Sequence, residues 1–302
     1  MLKQCLVLSC SFILWVGKTA AQNSGMLPLT GIRYYNEGIK VKSITVKMSG
    51  DLLYGNRIPL AKEIEISLEQ PTGFVADKQK TIFAAAEYTL VSMKGDVLAQ
   101  MTNLLLQNDA KGFTVKDAKA ISLKFGIAEG IIQPNSKCMV KIRLYDKKGK
   151  NQLRLEYPVS IAYPRERIPV CKLTQFIKSP PASSFMLVGL NAKSLAITVD
   201  TAISVDPKMA YLHLEVAKLG EVDMIGMLQG KETFWVYDSA FNEIKIKDKV
   251  LKDVGGAMGA GNVNCTLKIP FRSKTDNPKG YMIRYRWESE DKSQVMDIVV
   301  AK

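Results

Sequence analysis

Short runs in which apolar and polar residues alternate recur along the whole chain, separated by stretches that carry Gly, Pro, Asn, Asp and Lys. Successive side chains of a strand leave opposite faces of a sheet, so alternation of period two is the signature of half-buried strands. Seven such runs fall near 39–47, 62–69, 86–92, 96–102, 119–126, 137–145 and 152–162. Seven more fall near 194–200, 209–217, 232–238, 242–250, 263–271, 281–289 and 294–301. Their separators have turn chemistry, as in Met93-Lys94-Gly95-Asp96 and Gln133-Pro134-Asn135-Ser136. No helical period is long enough to supply βαβ crossovers, and the best helix candidate, 98–107, reads as strand or loop.

The two sets of runs repeat one another. Ser43-Ile44-Thr45-Val46 matches Ala196-Ile197-Thr198-Val199, and 64–68 matches 212–216. Tyr88 to Leu98 matches Phe234 to Ile244, Leu123-Lys124-Phe125 matches Leu267-Lys268-Ile269, and 138–144 matches 281–287. The offsets shrink from 153 through 148, 146 and 144 to 143, as expected of a second copy with shorter loops. Seven strands per copy suit a Greek-key sandwich, so the expected fold is all-β with two tandem immunoglobulin-like sandwiches. The Cys…Trp…Cys pattern of antibody domains is missing, which limits the likeness to architecture.

The ends add a compartment. Residues 1–21 have a basic start at Lys3, an apolar stretch and Thr19-Ala20-Ala21, the pattern of a secretory signal peptide cleaved near Ala21. Cys10 weakly resembles a lipobox cysteine, but bulky Leu8 argues against lipid anchoring there. No apolar run reaches the roughly 20 residues of a membrane-spanning helix. The organisation read from the pattern is a signal at 1–21, a leader at 22–37, a first sandwich at 38–164, a proline-containing linker at 165–185 and a second sandwich at 186–302.

Cleavage would leave Cys138, Cys171 and Cys265, an odd number that excludes a full disulfide framework. The net charge of +13 favours anionic envelope surfaces over nucleic acid as partners. Excess lysine also guards edge strands and keeps a β protein soluble.

Candidate chemistry is sparse. His213 is the only histidine, which leaves one possible base for any nucleophilic triad, and no cysteines are spaced for zinc. No carboxylate pair stands out among the 29 acids, so the chain is expected to be non-catalytic, without metal or cofactor. Arg284 and Arg286 repeat the outward Lys141 and Arg143, and Lys245, Lys247 and Lys249 form a second basic row, both able to meet a polyanion. Trp235 lies opposite Thr89 and is the better surface aromatic, whereas Trp287 and Tyr285 take the core-facing places of Leu144 and Ile142. The glycine-rich run 255–261, centred on Met258, is specific to the second copy and suits a binding loop.

Asp200-Thr201-Ala202 and Asp238-Ser239-Ala240 are similar to the Asp-Ser/Thr-aliphatic sites that some Gram-negative bacteria O-glycosylate, which makes Thr201 and Ser239 candidates. Asn264-Cys265-Thr266 matches an N-glycosylation sequon but falls inside an expected strand. The expected role is that of a secreted or periplasmic envelope protein acting through protein contacts or as a spacer. Binding of a carbohydrate or polyanion is the alternative.

Overall fold

A computed structural model describes residues 23–171, 175–178, 183–189, 194–200, 208–217, 230–245, 251–255, 262–271 and 282–301. These residues are all-β, arranged in several sheets, with two short 3-10 turns, Leu106–Asn108 and Asp117–Lys119, as the helical pieces among them. The 98–107 stretch resolves into a strand followed by the first of these turns.

The N-terminal half carries β1 (Asn23–Met26), β2 (Arg33–Glu37), β3 (Ser43–Met48), β4 (Asp51–Leu53), β5 (Arg57–Ile58), β6 (Ile64–Glu69) and β7 (Thr81–Ile82). It continues with β8 (Ala84–Ser92), β9 (Val97–Met101), β10 (Phe113–Thr114), β11 (Ala120–Phe125), β12 (Lys137–Asp146), β13 (Gln152–Ile161) and β14 (Val170–Cys171). One sheet has the order β1-β2-β13-β12-β8-β9, with β5 also on β13; a second has the order β11-β6-β3-β4-β14. Strict alternation on β11, β12 and β13 turns every second side chain inward. Ile64, Ile66, Leu68, Leu123 and Phe125 from one sheet meet Leu90, Val140, Ile142, Leu144, Leu155 and Tyr157 from the other in a single core. Each such side chain contributes about 1.5–3 kcal/mol of burial, and the two sheets pack as a sandwich in which Cys138 is a buried free thiol. Pro158 is accommodated in β13 because β2 reaches only as far as Glu156 and β5 begins at Ser160, leaving no partner for the missing N–H.

The C-terminal half carries β15 (Gln175–Lys178), β16 (Ser183–Val188), β17 (Ser194–Asp200), β18 (Lys208–Ala217), β19 (Lys231–Tyr237), β20 (Leu251–Gly255), β21 (Asn262–Phe271), β22 (Met282–Glu288) and β23 (Val295–Ala301). They pair as β15-β16-β23-β22-β19 and β17-β18-β21-β20. The registers repeat those of the first half. Met139 faces Val91 as Met282 faces Tyr237, and Tyr145 faces Gln152 as Glu288 faces Val295. Val91 also pairs Val97 as Tyr237 bridges Glu243.

Two details differ from the sequence reading. Ile44, Leu68 and Ile121 stand in one row, and the corresponding row is Ile197, Leu214 and Cys265, so Leu68 answers Leu214 and the offset there is two residues smaller than the pattern suggested. The segments read as leader and linker also hold strands of the repeat: β1 and β2 pair and join β13 as β15 and β16 pair and join β23.

The hairpin turns match in detail. Ser92 Oγ accepts from the N–H groups of Lys94 and Asp96, while the N–H of Gly95 donates to the carbonyl of Ser92. In the second copy Asp238 Oδ1 accepts from the N–H groups of Ala240 and Asn242, and the N–H of Phe241 donates to the carbonyl of Asp238. Gly95 takes the left-handed conformation at φ 97°, and Phe241 takes it at φ 62°, a conformation that costs a bulky residue free energy.

Candidate functional site

The most organised polar assembly among the described residues lies where the two halves meet. The even-numbered side chains of β22, namely Met282, Arg284, Arg286 and Glu288, leave the face opposite to Ile283, Tyr285 and Trp287. Both faces are covered: Tyr285 and Trp287 are buried, and Arg284 is only 7% exposed.

The cover on the even face comes from the first residues of the first half. The β1–β2 connection, 27–32, is a compact loop closed by the N–H of Leu27 donating to the carbonyl of Ile32 at 2.8 Å and that of Gly31 to Leu27 at 3.0 Å. Arg286 Nη1 donates to the carbonyl of Leu29 at 3.2 Å. Gly31 has φ 73°, a left-handed conformation that favours glycine, and a Cβ there would lie 2.7 Å from Arg284 Nη1, so any side chain would push that guanidinium aside. Two apolar clusters flank the charges. Met26 packs with Tyr237, Phe241, Met282 and Val299, and Leu29 packs with Leu52, Tyr54, Met186 and Val295.

The charges compensate one another. Arg284 donates from Nε to Asp297 Oδ1 at 3.0 Å and from Nη2 to Oδ2 at 2.7 Å, a bidentate pair, and its guanidinium lies 4.8 Å from the Trp235 ring centroid. Arg286 Nε approaches Glu288 Oε1 at 2.8 Å without the alignment of a hydrogen bond, Nη1 is 3.6 Å from Asp297, and the group lies 4.6 Å from the Tyr54 ring centroid. Tyr54 donates its hydroxyl to Glu288 at 3.3 Å. Burial acts against the Arg284 cation, but adjacent Asp297 outweighs it and raises its pKa above the ordinary value. Burial, reinforced by Glu288, pushes Tyr54 up to about 12. Tyr35 meets Phe241 edge-on at 5.4 Å, which anchors the Phe241 turn on the same junction. These contacts join residues of the first half of the chain to residues of the second.

The sequence-derived candidates fall in different places. Arg284 and Arg286 do leave the C-terminal core, as the alternation implied, but they enter the junction, where the first half and Asp297 occupy them, so they are not a solvated basic row. Trp235 is half-buried beside Arg284 and packs on the Met26 cluster. Lys245 and Ser239 are exposed. Lys247, Lys249, Met258 and Thr201 lie outside the described residues. Lys141 and Arg143 stay on an outer face, where Arg143 pairs with Glu87 and Gln152.

Sequence reasoning missed Asp297, Tyr54, Leu29, Gly31 and Phe241. The available signal was β23, Val-Met-Asp-Ile-Val-Val-Ala, which is apolar on both faces and therefore covered twice. No group of three or more His, Cys, Asp or Glu side chains is placed to hold a metal among the described residues, and no described helix is long and apolar enough to cross a membrane.

No protein-family model and no curated protein matches this chain. Among solved structures, the C-terminal domain of wzt is similar over 51% of this chain and 92% of that one, at 9% identity and a TM-score of 0.33. A chain from the complex of ICOS with ICOS-L and an anti ICOS-L VNAR domain is similar over 82% of this chain and 97% of that one, at 9% identity and a TM-score of 0.23. Neither likeness, at such scores, bears on role.

Proposed function

We propose that this is an exported, non-catalytic envelope protein whose two halves, each an immunoglobulin-like sandwich, act as a rigid spacer that presents protein-binding surfaces. The observation that carries this reading is the junction. Buried charges neutralised in place, a loop shaped around two arginines and apolar clusters on either side favour one fixed arrangement over a swinging linker. The supporting sequence features are the signal-like residues 1–21 and the absence of any motif that demands chemistry. A polyanion-binding role retains Lys245 but loses Arg284 and Arg286, whose charges are already matched.

Two measurements test the proposal. Small-angle scattering of the mature chain should fit a single arrangement of the halves at low and high salt; a broad distribution of separations rules out the spacer. Crosslinking in intact cells followed by affinity capture should return one protein at fixed stoichiometry from the envelope fraction. Recovery of the chain in the cytoplasm with residues 1–21 still attached overturns export.

A further inference from the structure

Asp precedes Ser or Thr at only two places in the 302 residues, and Ala follows both times. One of the two, Asp238-Ser239-Ala240, lies in the hairpin after β19, and its geometry there goes beyond the three-letter match. The backbone closes through Asp238 N–H to the Asn242 carbonyl at 3.0 Å and Phe241 N–H to the Asp238 carbonyl at 3.0 Å. The Asp238 carboxylate accepts from Ala240 N at 2.8 Å, Asn242 N at 2.9 Å and Asn242 Nδ2 at 3.0 Å. The Asn242 side chain is the main cause holding the Asp238 pKa below its ordinary value. Phe241 drives the far side of the turn into the junction, 2% exposed. The turn is therefore pinned from beneath, while Ser239 and Ala240 stand exposed at its tip. Ser239 makes no hydrogen bond to a described residue. In the equivalent turn of the first copy this place belongs to exposed Met93, and the hydroxyl of Ser92 serves the turn itself. In the second copy Asp238 holds the turn from the place of Ser92, and the tip carries Ser239 in place of Met93, with a hydroxyl that takes no part in the turn.

We propose that Ser239 is an O-glycosylation site, modified with an oligosaccharide after export; the inference rests on the exported reading above. The donor would be a glycan carried on a lipid diphosphate. Ser239 Oγ forms the bond to the anomeric carbon, the bond from that carbon to the diphosphate oxygen breaks, the lipid diphosphate leaves with the electron pair, and the serine proton passes to a base on the transferase. Asp238 has two roles in this arrangement, holding the turn and completing the recognised sequence.

The test uses the full chain recovered from its native cells. Amino-terminal sequencing comes first, then intact mass and mapping of the tryptic peptide 232–245, whose only aliphatic hydroxyls are Thr233 and Ser239. The expected result is a processed chain whose peptide carries added hexose-type mass, lost on mild alkaline β-elimination. Ser239→Ala should remove it and Ser239→Thr should keep it. Asp238→Asn keeps an oxygen for the N–H groups of Ala240 and Asn242, with the Asn242 side-chain amide turned over to accept from the new amide nitrogen, and should lose the glycan while the chain stays folded. A processed, envelope-located chain with an unmodified peptide overturns the glycan site alone. An unprocessed cytoplasmic chain overturns export and the site together. Mass retained in Ser239→Ala assigns the modification elsewhere and also sinks the proposal.

Discussion

Arg284 and Asp297 form a two-point ion pair at places where the N-terminal half has Lys141 and Arg154, two bases. One reversal of sign converts an outward, solvated sheet face into one that can be buried. Around it the same face exchanges Glu156 for Val299, Gln152 for Val295 and Thr89 for Trp235, so the polar face of one copy is the covered face of the other.

Removing one partner of this pair should be costly, because the remaining charge keeps its burial without compensation. Asp297→Ala is expected to cost about 3–5 kcal/mol. The double replacement Arg284→Met with Asp297→Leu should lie much closer to the parent. Urea unfolding followed by the fluorescence of Trp235, which lies on the guanidinium, measures both. Equal losses in the single and double variants would show that the pair is not the source of the effect.

Phe241 offers a comparison with a definite sign. Both Phe241→Ala and Phe241→Gly give up the junction packing, worth about 3–5 kcal/mol for a buried phenylalanine. Glycine additionally relieves the left-handed backbone, so Phe241→Gly should be more stable than Phe241→Ala by about 1 kcal/mol. The reverse order at most positions makes this a stringent check by thermal denaturation.

Gly31 is pressed against Arg284 and has a positive φ. Gly31→Val should displace the 27–32 loop and cost about 2 kcal/mol or more. Loosening of the junction should appear as faster trypsin cleavage at exposed Arg165 or Arg167 than in the parent, at equal protease. Unchanged cleavage would mean that the loop does not restrain the segment joining the halves.

Stability should fall on the alkaline side. Burial pushes the Cys138 thiol from 9.0 up to about 11, and burial raises Tyr35, Tyr54 and Tyr88 from 10.0 to about 12. The folded state therefore binds protons that the unfolded state has already released, so stability declines as pH rises from 9 toward 12. Urea midpoints measured across that window should drop steadily, and Cys138→Val should make the earliest part of the drop shallower. The neutral thiol should also resist alkylation until the protein unfolds.

Much of this fold was legible in the residues. Alternation located the long strands, and the pairing of Trp287 with Leu144 and of Tyr285 with Ile142 correctly marked all four as buried. The same signal fails in a characteristic way. A pattern of period two is unchanged by a shift of two, so Leu68 fits Val216 as well as its true counterpart Leu214, and only hydrogen-bond register separates them. The junction was illegible for a different reason. An arginine at an outward position reads as solvated unless its partner is known, and Asp297 lies 13 residues from Arg284 on a neighbouring strand. Likewise β1 and β2 were passed over because Asn23-Ser24-Gly25-Met26 has almost no alternation to display. Its place is set by the backbone ladder to β2 and by one apolar side chain, Met26.

The loop at 27–32 and the strand at 295–301 meet although most of the chain lies between them. Contacts of such long sequence separation close late, because the entropy of joining distant segments must be overcome before the contact stabilises anything. During synthesis from the amino terminus, Leu29 therefore has only Leu52 and Tyr54 beside it, and Met26 lacks its partners in the second half, until the C-terminal strands arrive. The junction acts as a completeness check: a chain cut short before 295 would leave these apolar groups uncovered and open to chaperones and proteases.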